Sequence, residues 1–195
     1  MIFAAFGIGS AIGETMKRKN KIKRTNCRCE KCRHGCTVLT GYLLPDDLPR
    51  YLEAAPPAAG DSLFRWAEKN LLASQGAEVC RHGPDGFETF RVPSLVPATR
   101  ENGHCVHYHD GLCAVHTGSP TGCAMFNACA IGAKAAKQDA LANALQSGLA
   151  AFWGADATTP AGTLYKEIWR HLWDTGHRRE NVTELAAEYR AGVVE

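Results

Sequence analysis

Apolar and polar positions alternate with a helical period in several separate stretches of the chain. In "LLPDDLPRYLEAA", Leu48, Tyr51 and Leu52 recur at i, i+3 and i+4 behind Pro45, Asp46 and Asp47, which predicts a helix near 46–54. "PPAAG" at 56–60 interrupts the pattern. Asp61 or Ser62 then caps a second predicted helix over 61–74, with Leu63, Trp66, Ala67 and Leu71 on one face. The C-terminal third reads as helical throughout. An Ala- and Leu-rich stretch predicts a helix at 133–153, Pro160 starts another at 160–174 that Gly176 stops, and "VTELAAEYRAGV" predicts a last one at 182–192. Leu164, Ile168 and Leu172 share a face of the 160–174 helix, and Trp169 and Trp173 form an i, i+4 pair whose expected role is packing.

Between these halves the pattern fails. Residues 80–104 hold Gly83, Pro84, Gly86, Pro93, Pro97 and Gly103, so loops or short strands are expected, with "FETFRV" the best strand candidate. Residues 105–133 have neither period and read as loops and turns pinned by something other than a core. The expected fold class is therefore mainly α, a small helical domain with cysteine-rich loops packed against it. We expect one domain over 26–195, long enough for a core of its own, preceded by an apolar and basic arm at 1–25.

Composition changes this picture little. The chain has 195 residues, 45% hydrophobic and 22% charged, as ordinary globular proteins do. Charge is uneven, because "KRKNKIKR" at 17–24 carries six of the 22 basic residues and leaves 16 against 20 acidic ones elsewhere. Without interleaved aromatics and with an acidic body behind it, this run reads as a solvated arm, and no specific nucleic-acid partner is expected. The apolar stretch before it precedes its charges, the reverse of a secretory signal, and no apolar run is long enough to span a bilayer. The expectation is a cytoplasmic protein with a protein partner.

Nine cysteines change the picture more. Cys27, Cys29, Cys32 and Cys36 occupy "CRCEKCRHGC"; Cys105, Cys113, Cys123 and Cys129 occupy "CVHYHDGLCAVHTGSPTGCAMFNAC"; Cys80 stands alone and reads as a plain thiol. An odd count without a signal sequence, and "CRC" in a reducing compartment, argue against a disulfide scaffold. Soft thiolates at Cys-x2-Cys spacing (Cys29 and Cys32) suit zinc or an iron–sulfur cluster, and Gly35 frees the backbone beside Cys36. His34, His104, His107, His109 and His116 crowd the same segments, and neutral imidazole competes for such roles. A cysteine nucleophile would need an activating base, and neither "DGLC" nor "FNAC" offers a recognisable catalytic context.

"CEKCRHGC" resembles the first motif of the YkgJ-type cysteine-cluster family of zinc- or iron-chelating proteins. "CVHYHDGLC" and "CAVHTGSPTGC" are similar to its second motif, with Val115, His116 and Pro120 in register, and "CAMF" places Phe126 at the family's aromatic position. The likeness spans 29–126, and "LLPDDLPRYLE" resembles the helix after the first motif. It implies metal ligation by Cys29, Cys32, Cys36, Cys105, Cys113 and Cys123. It also implies an iron–sulfur cluster, 4Fe-4S by expectation, for electron transfer or cluster-dependent chemistry, since a flagellin lysine methylase carries this type of domain. A zinc-stapled interaction module is the alternative.

Gly35 stands where the family has the first of two paired cysteines, Ser119 replaces an Arg and Asn127 a Pro. Cys27 and Cys129 are additional, and we count them as ligands that compensate. His116 occupies the position of a family Tyr, where packing is expected. With three matched thiolates in each motif, the two motifs are expected to converge in space.

Overall fold

The computed structural model describes residues 29–38, 40–83, 86–155 and 159–179, with backbone alone at 77–83 and 86–90. The predicted helix at 182–192, the arm at 1–25 and Cys27 lie outside the described residues.

Helix α1 (Glu30–Thr37) carries the first cysteine motif. A 3-10 turn at Pro45–Asp47 leads directly into α2 (Leu48–Ala54), so the expected helix at 46–54 starts as a tighter turn. Ser62 caps α3 (Leu63–Asn70) by accepting from Arg65 N at 3.2 Å. α3 ends four residues before its predicted limit because Leu71 already belongs to a strand.

That strand overturns the mainly α expectation. β1 (Leu71–Gly83) and β2 (Gly86–Pro97) form a long antiparallel hairpin, paired from Leu71 with Pro97 to Gly83 with Gly86. β5 (Arg178–Arg179) adds to β1 in parallel, giving the sheet order β2–β1–β5, so the fold is a mixture of α and β. The cause is tertiary. "LLASQGAEVCRHG" lacks a clean period of two, and its strand form rests on pairing with β2 and packing against the helix at Pro160–Asp174.

The two prolines of β2 are accommodated for identifiable reasons. Register shifts between Ser74 and Ala77, so Gln75 and Gly76 oppose Pro93 alone. This bulge needs no N–H from Pro93. Gly76 has φ +84°, and a Cβ there would lie 1.4 Å from Val92 O, so only glycine fits. Pro97 is the last residue of β2.

The core lies between this hairpin and the helices. α6 (Pro160–Asp174) starts where predicted, with Thr159 accepting from Gly162 N at 3.1 Å, and buries Tyr165, Ile168 and Leu172. Leu43, Leu48, Tyr51, Trp66, Leu71 and Leu95 meet them. Trp169 and Trp173 stack 5.0 Å apart, and Trp169 Nε1 donates to Ser74 O at 3.0 Å, a packing role with one polar anchor. α5 (Ala133–Gly154) matches its prediction in length, but its first half is solvent-exposed. Its second half anchors it, through Leu145, Leu149 and Phe152, and through Trp153 Nε1 donating to Pro93 O at 2.6 Å.

One tyrosine joins the layers. Leu43 N donates to Leu95 O at 2.8 Å. The return bond passes through Tyr165, whose hydroxyl accepts from Leu95 N and donates to Leu43 O, each at 2.8 Å. All three residues are fully buried. Tyr165→Phe strands a buried N–H and a buried C=O, which should cost about 2–4 kcal/mol. Chemical denaturation of both proteins in the same metal state should show the drop as a lower midpoint with an unchanged slope.

Candidate metal centre

The second cysteine motif folds as a set of short turns. β2 leads into a tight loop in which Arg100 N donates to His104 O and Val106 N returns to Ala98 O. Cys105 sits on the returning limb, and its N–H donates to Cys36 O at 2.9 Å. The two cysteine motifs are thus in direct backbone contact, as convergence requires. β3 (Tyr108–His109) and β4 (Leu112–Cys113) form a minimal hairpin around Asp110 and Gly111, with φ of +48° and +77°. Positive φ at both central residues is the two-residue turn that Asp-Gly favours, and it turns Cys113 back beside Tyr108. The Arg33 guanidinium of α1 lies over Gly111, where a Cβ would stand 3.2 Å from a terminal nitrogen.

Cys123 arrives on α4 (Thr121–Met125) through a crossing of two bare backbones. Gly122 N donates to Tyr42 O at 2.9 Å. A Cβ on Gly41 would lie 2.2 Å from Cys123 N, and one on Gly122 would lie 2.4 Å from Tyr42 N. The contact brings Gly41 N within 3.3 Å of Cys123 Sγ, an N–H donor to sulfur. Asp47 locks the crossing: its buried carboxylate accepts from Leu44 N at 2.9 Å and from Thr121 N and Thr121 Oγ1 at 2.7 Å each. Arg50 pairs with the same carboxylate at 2.5 Å and donates to Ser119 O.

These elements sort the sequence-predicted cysteines into two groups. Cys36, Cys105, Cys113 and Cys123 line one cavity of about 830 Å³. Burial pushes the Cys36 thiol up to about 11, with Cys113 adding to the effect. It pushes Cys105 up to about 12; nearby Cys113 and Cys36 raise it further, while the His107 N–H and Arg100 oppose. Cys123 is held well above its usual value by burial first, then by Cys105, Cys36 and Cys113, against the Gly41 N–H. Cys36, Cys105 and Cys123 are thus held as thiols, and an ion that binds them must displace their protons.

The other group is Cys29, Cys32 and Cys129, whose sulfurs all lie within 4.8 Å of one another. Cys29 and Cys129 are 3.4 Å apart and Cys32 and Cys129 3.8 Å apart, the last two residues lying 97 positions apart in the chain. Among the described residues this is the group of three candidate ligands at that spacing. No three of the inner thiols fall within that distance of one another. Cys32 also lines the cavity, so the two groups adjoin. Cys80 pairs with Thr89 in the β1–β2 ladder.

The histidines divide as well. His107 is buried, its Nε2 is 2.6 Å from the Tyr51 hydroxyl, and burial followed by His109 and Arg100 lowers it to about 4. It is neutral, and the Tyr51 hydroxyl that shares this hydrogen bond also lies 3.3 Å from Asn70 O. Burial, followed by Cys105, Cys123 and Cys113, holds the Tyr51 hydroxyl well above its ordinary value. His109 meets Arg100 at 2.7 Å, and His104 packs edge-on against Tyr108. His34 is half-buried on α1. His116 is exposed on a 3-10 turn at His116–Gly118 and lines the cavity. Sequence reading missed the Tyr51–His107 pair and the Gly41 donor. The available signal was a glycine at 41 and another at 122 that no helix or turn there requires.

No family model, no curated protein and no solved structure matches this chain. Among the described residues no helix is long and apolar enough to cross a membrane.

The crossing makes a paired prediction. Gly41→Ala should cost about 3 kcal/mol, because backbone atoms of Cys123 cannot yield as a flexible side chain would. Gly148→Ala, in an exposed turn of α5 with nothing within 4 Å of its Cβ, should stabilise by about 0.5–1 kcal/mol. Thermal unfolding of the two variants should move in opposite directions. Gly41→Ala should also speed labelling of the inner thiols by a disulfide reagent.

Proposed function

We propose that this chain is a cysteine-ligated metal protein of the YkgJ-type cysteine-cluster kind. In this reading Cys36, Cys105, Cys113 and Cys123 hold an iron–sulfur cluster, 4Fe-4S by ligand count, used for electron transfer or cluster-dependent chemistry. The observation that carries the reading is the gathering of these four thiols, from α1, the Ala98–Val106 loop, β4 and α4, around one cavity.

The donor set fits the group. Four soft sulfurs without a carboxylate among them suit iron–sulfur or zinc, not a hard cation. A cluster interposes its own irons and sulfides between its thiolates, so ligand sulfurs spread more widely than around a single ion suit it. When bound, such a cluster supplies one-electron redox chemistry, and its partner in this reading is another protein.

The chain's own residues have separable tasks. Gly41 N and His107 N donate to Cys123 and Cys105, which favours the thiolate form and tunes what it ligates. Val115 and Phe126 line the cavity with apolar surface that limits access of water. Tyr51 and His107, hydrogen-bonded to each other, fix the loop that carries Cys105.

Anaerobic purification with iron, zinc and sulfide quantified per chain tests the reading. About four irons and four sulfides per chain are expected, with a brown colour that Cys113→Ser abolishes. Stoichiometric zinc without sulfide would overturn the cluster assignment. Thiolate sites of this kind stabilise folds by on the order of 10 kcal/mol. Chelation should therefore lower the melting temperature sharply, and an unchanged transition after complete metal removal would exclude coupling between the metal and the fold.

A further inference from the structure

We infer that Cys29, Cys32 and Cys129 form a second, outer metal site for a single thiophilic d10 ion of the zinc type, separate from the inner thiols. The inference stands on the geometry of these three residues and does not depend on what the inner four hold.

Spacing is the first argument. Zn–S bonds of about 2.3 Å in a tetrahedron place neighbouring sulfurs about 3.8 Å apart. The outer pairs stand at 3.4 and 3.8 Å, and all three sulfurs fall within 4.8 Å of one another. Chance rarely brings three thiols from two distant segments to that spacing. A disulfide would account for two of them and leave the third unexplained.

The supporting structure is the second argument. Cys29 is the N-cap residue of α1, and Cys32 lies in that helix's first turn, so the positive end of the helix favours both thiolates. Asn127 shapes the loop that delivers Cys129: its Oδ1 accepts from Cys129 N at 3.1 Å and lies 3.8 Å from Cys32 Sγ. Ala130 N closes the same turn on Asn127 O at 3.0 Å. One side chain therefore orients a ligand loop and contacts a second ligand, as groups around a metal's ligands commonly do.

Exposure is the third. Cys29 and Cys129 are exposed whereas Cys32 is buried, so an ion here would be reachable from solvent. Cys129 lies beyond the span of the YkgJ-type resemblance, and that likeness says nothing of it.

Cadmium titration of the full-length chain, reduced, stripped of metal and kept anaerobic, tests the inference. Ions per chain are counted by native mass spectrometry, and thiolates per ion by ultraviolet charge-transfer absorbance. Cys129→Ser should bind one ion fewer than the parent chain and lose about three thiolates' worth of absorbance. Cys113→Ser should retain that ion. Cys29→Ser is the second variant, expected to repeat the loss, with circular dichroism confirming that each variant folds. Cys129→Ser binding as many ions as the parent would overturn the outer site. So would joint loss of every ion in Cys129→Ser, which would mean one polynuclear centre, or a Cys29–Cys129 disulfide in air with no binding at these thiols under reductant. Absence of iron and sulfide would end the cluster reading of the inner thiols yet leave the difference between parent and Cys129→Ser intact.

Discussion

The Asp47 carboxylate is the point on which the cysteine-bearing half of the molecule depends. Its side chain is 2% exposed, and a carboxylate so buried is tolerable only when its oxygens are satisfied. They accept from Leu44 N, Thr121 N, Thr121 Oγ1 and Arg50, and those donors belong to three separate parts of the chain. Leu44 closes the segment that contains Gly41, Thr121 opens the helix that carries Cys123, and Arg50 reaches on to Ser119 O. With these fixed, the backbones at Gly41 and Gly122 are pressed together without room for a Cβ. A single buried charge thus sets the position of a sulfur that is not its own neighbour.

Two kinds of cohesion follow from this arrangement. On one side α2, α3, α6 and the β1–β2 hairpin share an apolar core crossed by long-range polar links such as the Tyr165 hydroxyl between Leu43 and Leu95. On the other, residues 98–130 have almost no periodic apolar face. They hold together through backbone turns, the Asp-Gly hairpin, the Asp47 lock and contacts among cysteines. Ala98, Cys105, Val115, Pro120, Ala124 and Met125 are buried there, mostly small side chains that give some thirty residues little apolar surface to organise around.

How much of this was legible in the sequence depends on whether local or distant forces decide an element. α6 is legible because Pro160, the Leu164–Ile168–Leu172 stripe and Gly176 all point to the same helix. α5 is legible in length, though its exposed first half shows that Ala-rich propensity, not an apolar face, sustains it. β1 was not legible, because Ala, Gln and Gly at 73–77 favour no strand until β2 lies beside them. Pro93 argued against a long strand, and the bulge at Gln75–Gly76 is what removes the objection. α1 was read as a loop for the opposite reason. Its eight residues carry Gly and a run of polar side chains, with a mean hydropathy that predicts no buried face, and contacts with the second motif hold it.

The cysteine motif itself hid a further distinction, and the fold supplies it. Cys32 and Cys36 are four residues apart on α1, so they share one face about one turn apart along the axis. Residues at that spacing can serve one ion together or two neighbouring groups separately, and here their sulfur neighbours differ. Cys32 meets Cys29 and Cys129, while Cys36 faces the cavity of Cys105, Cys113 and Cys123. Each motif lends one thiol to the group dominated by the other. Two-cluster ferredoxins exchange ligands in the same sense, the last cysteine of a run serving the other centre. Counting thiols motif by motif divides them by their order in the chain. In space Cys32 stands with Cys29 and Cys129 and Cys36 with Cys105, Cys113 and Cys123, and it is this division that a bound ion would meet.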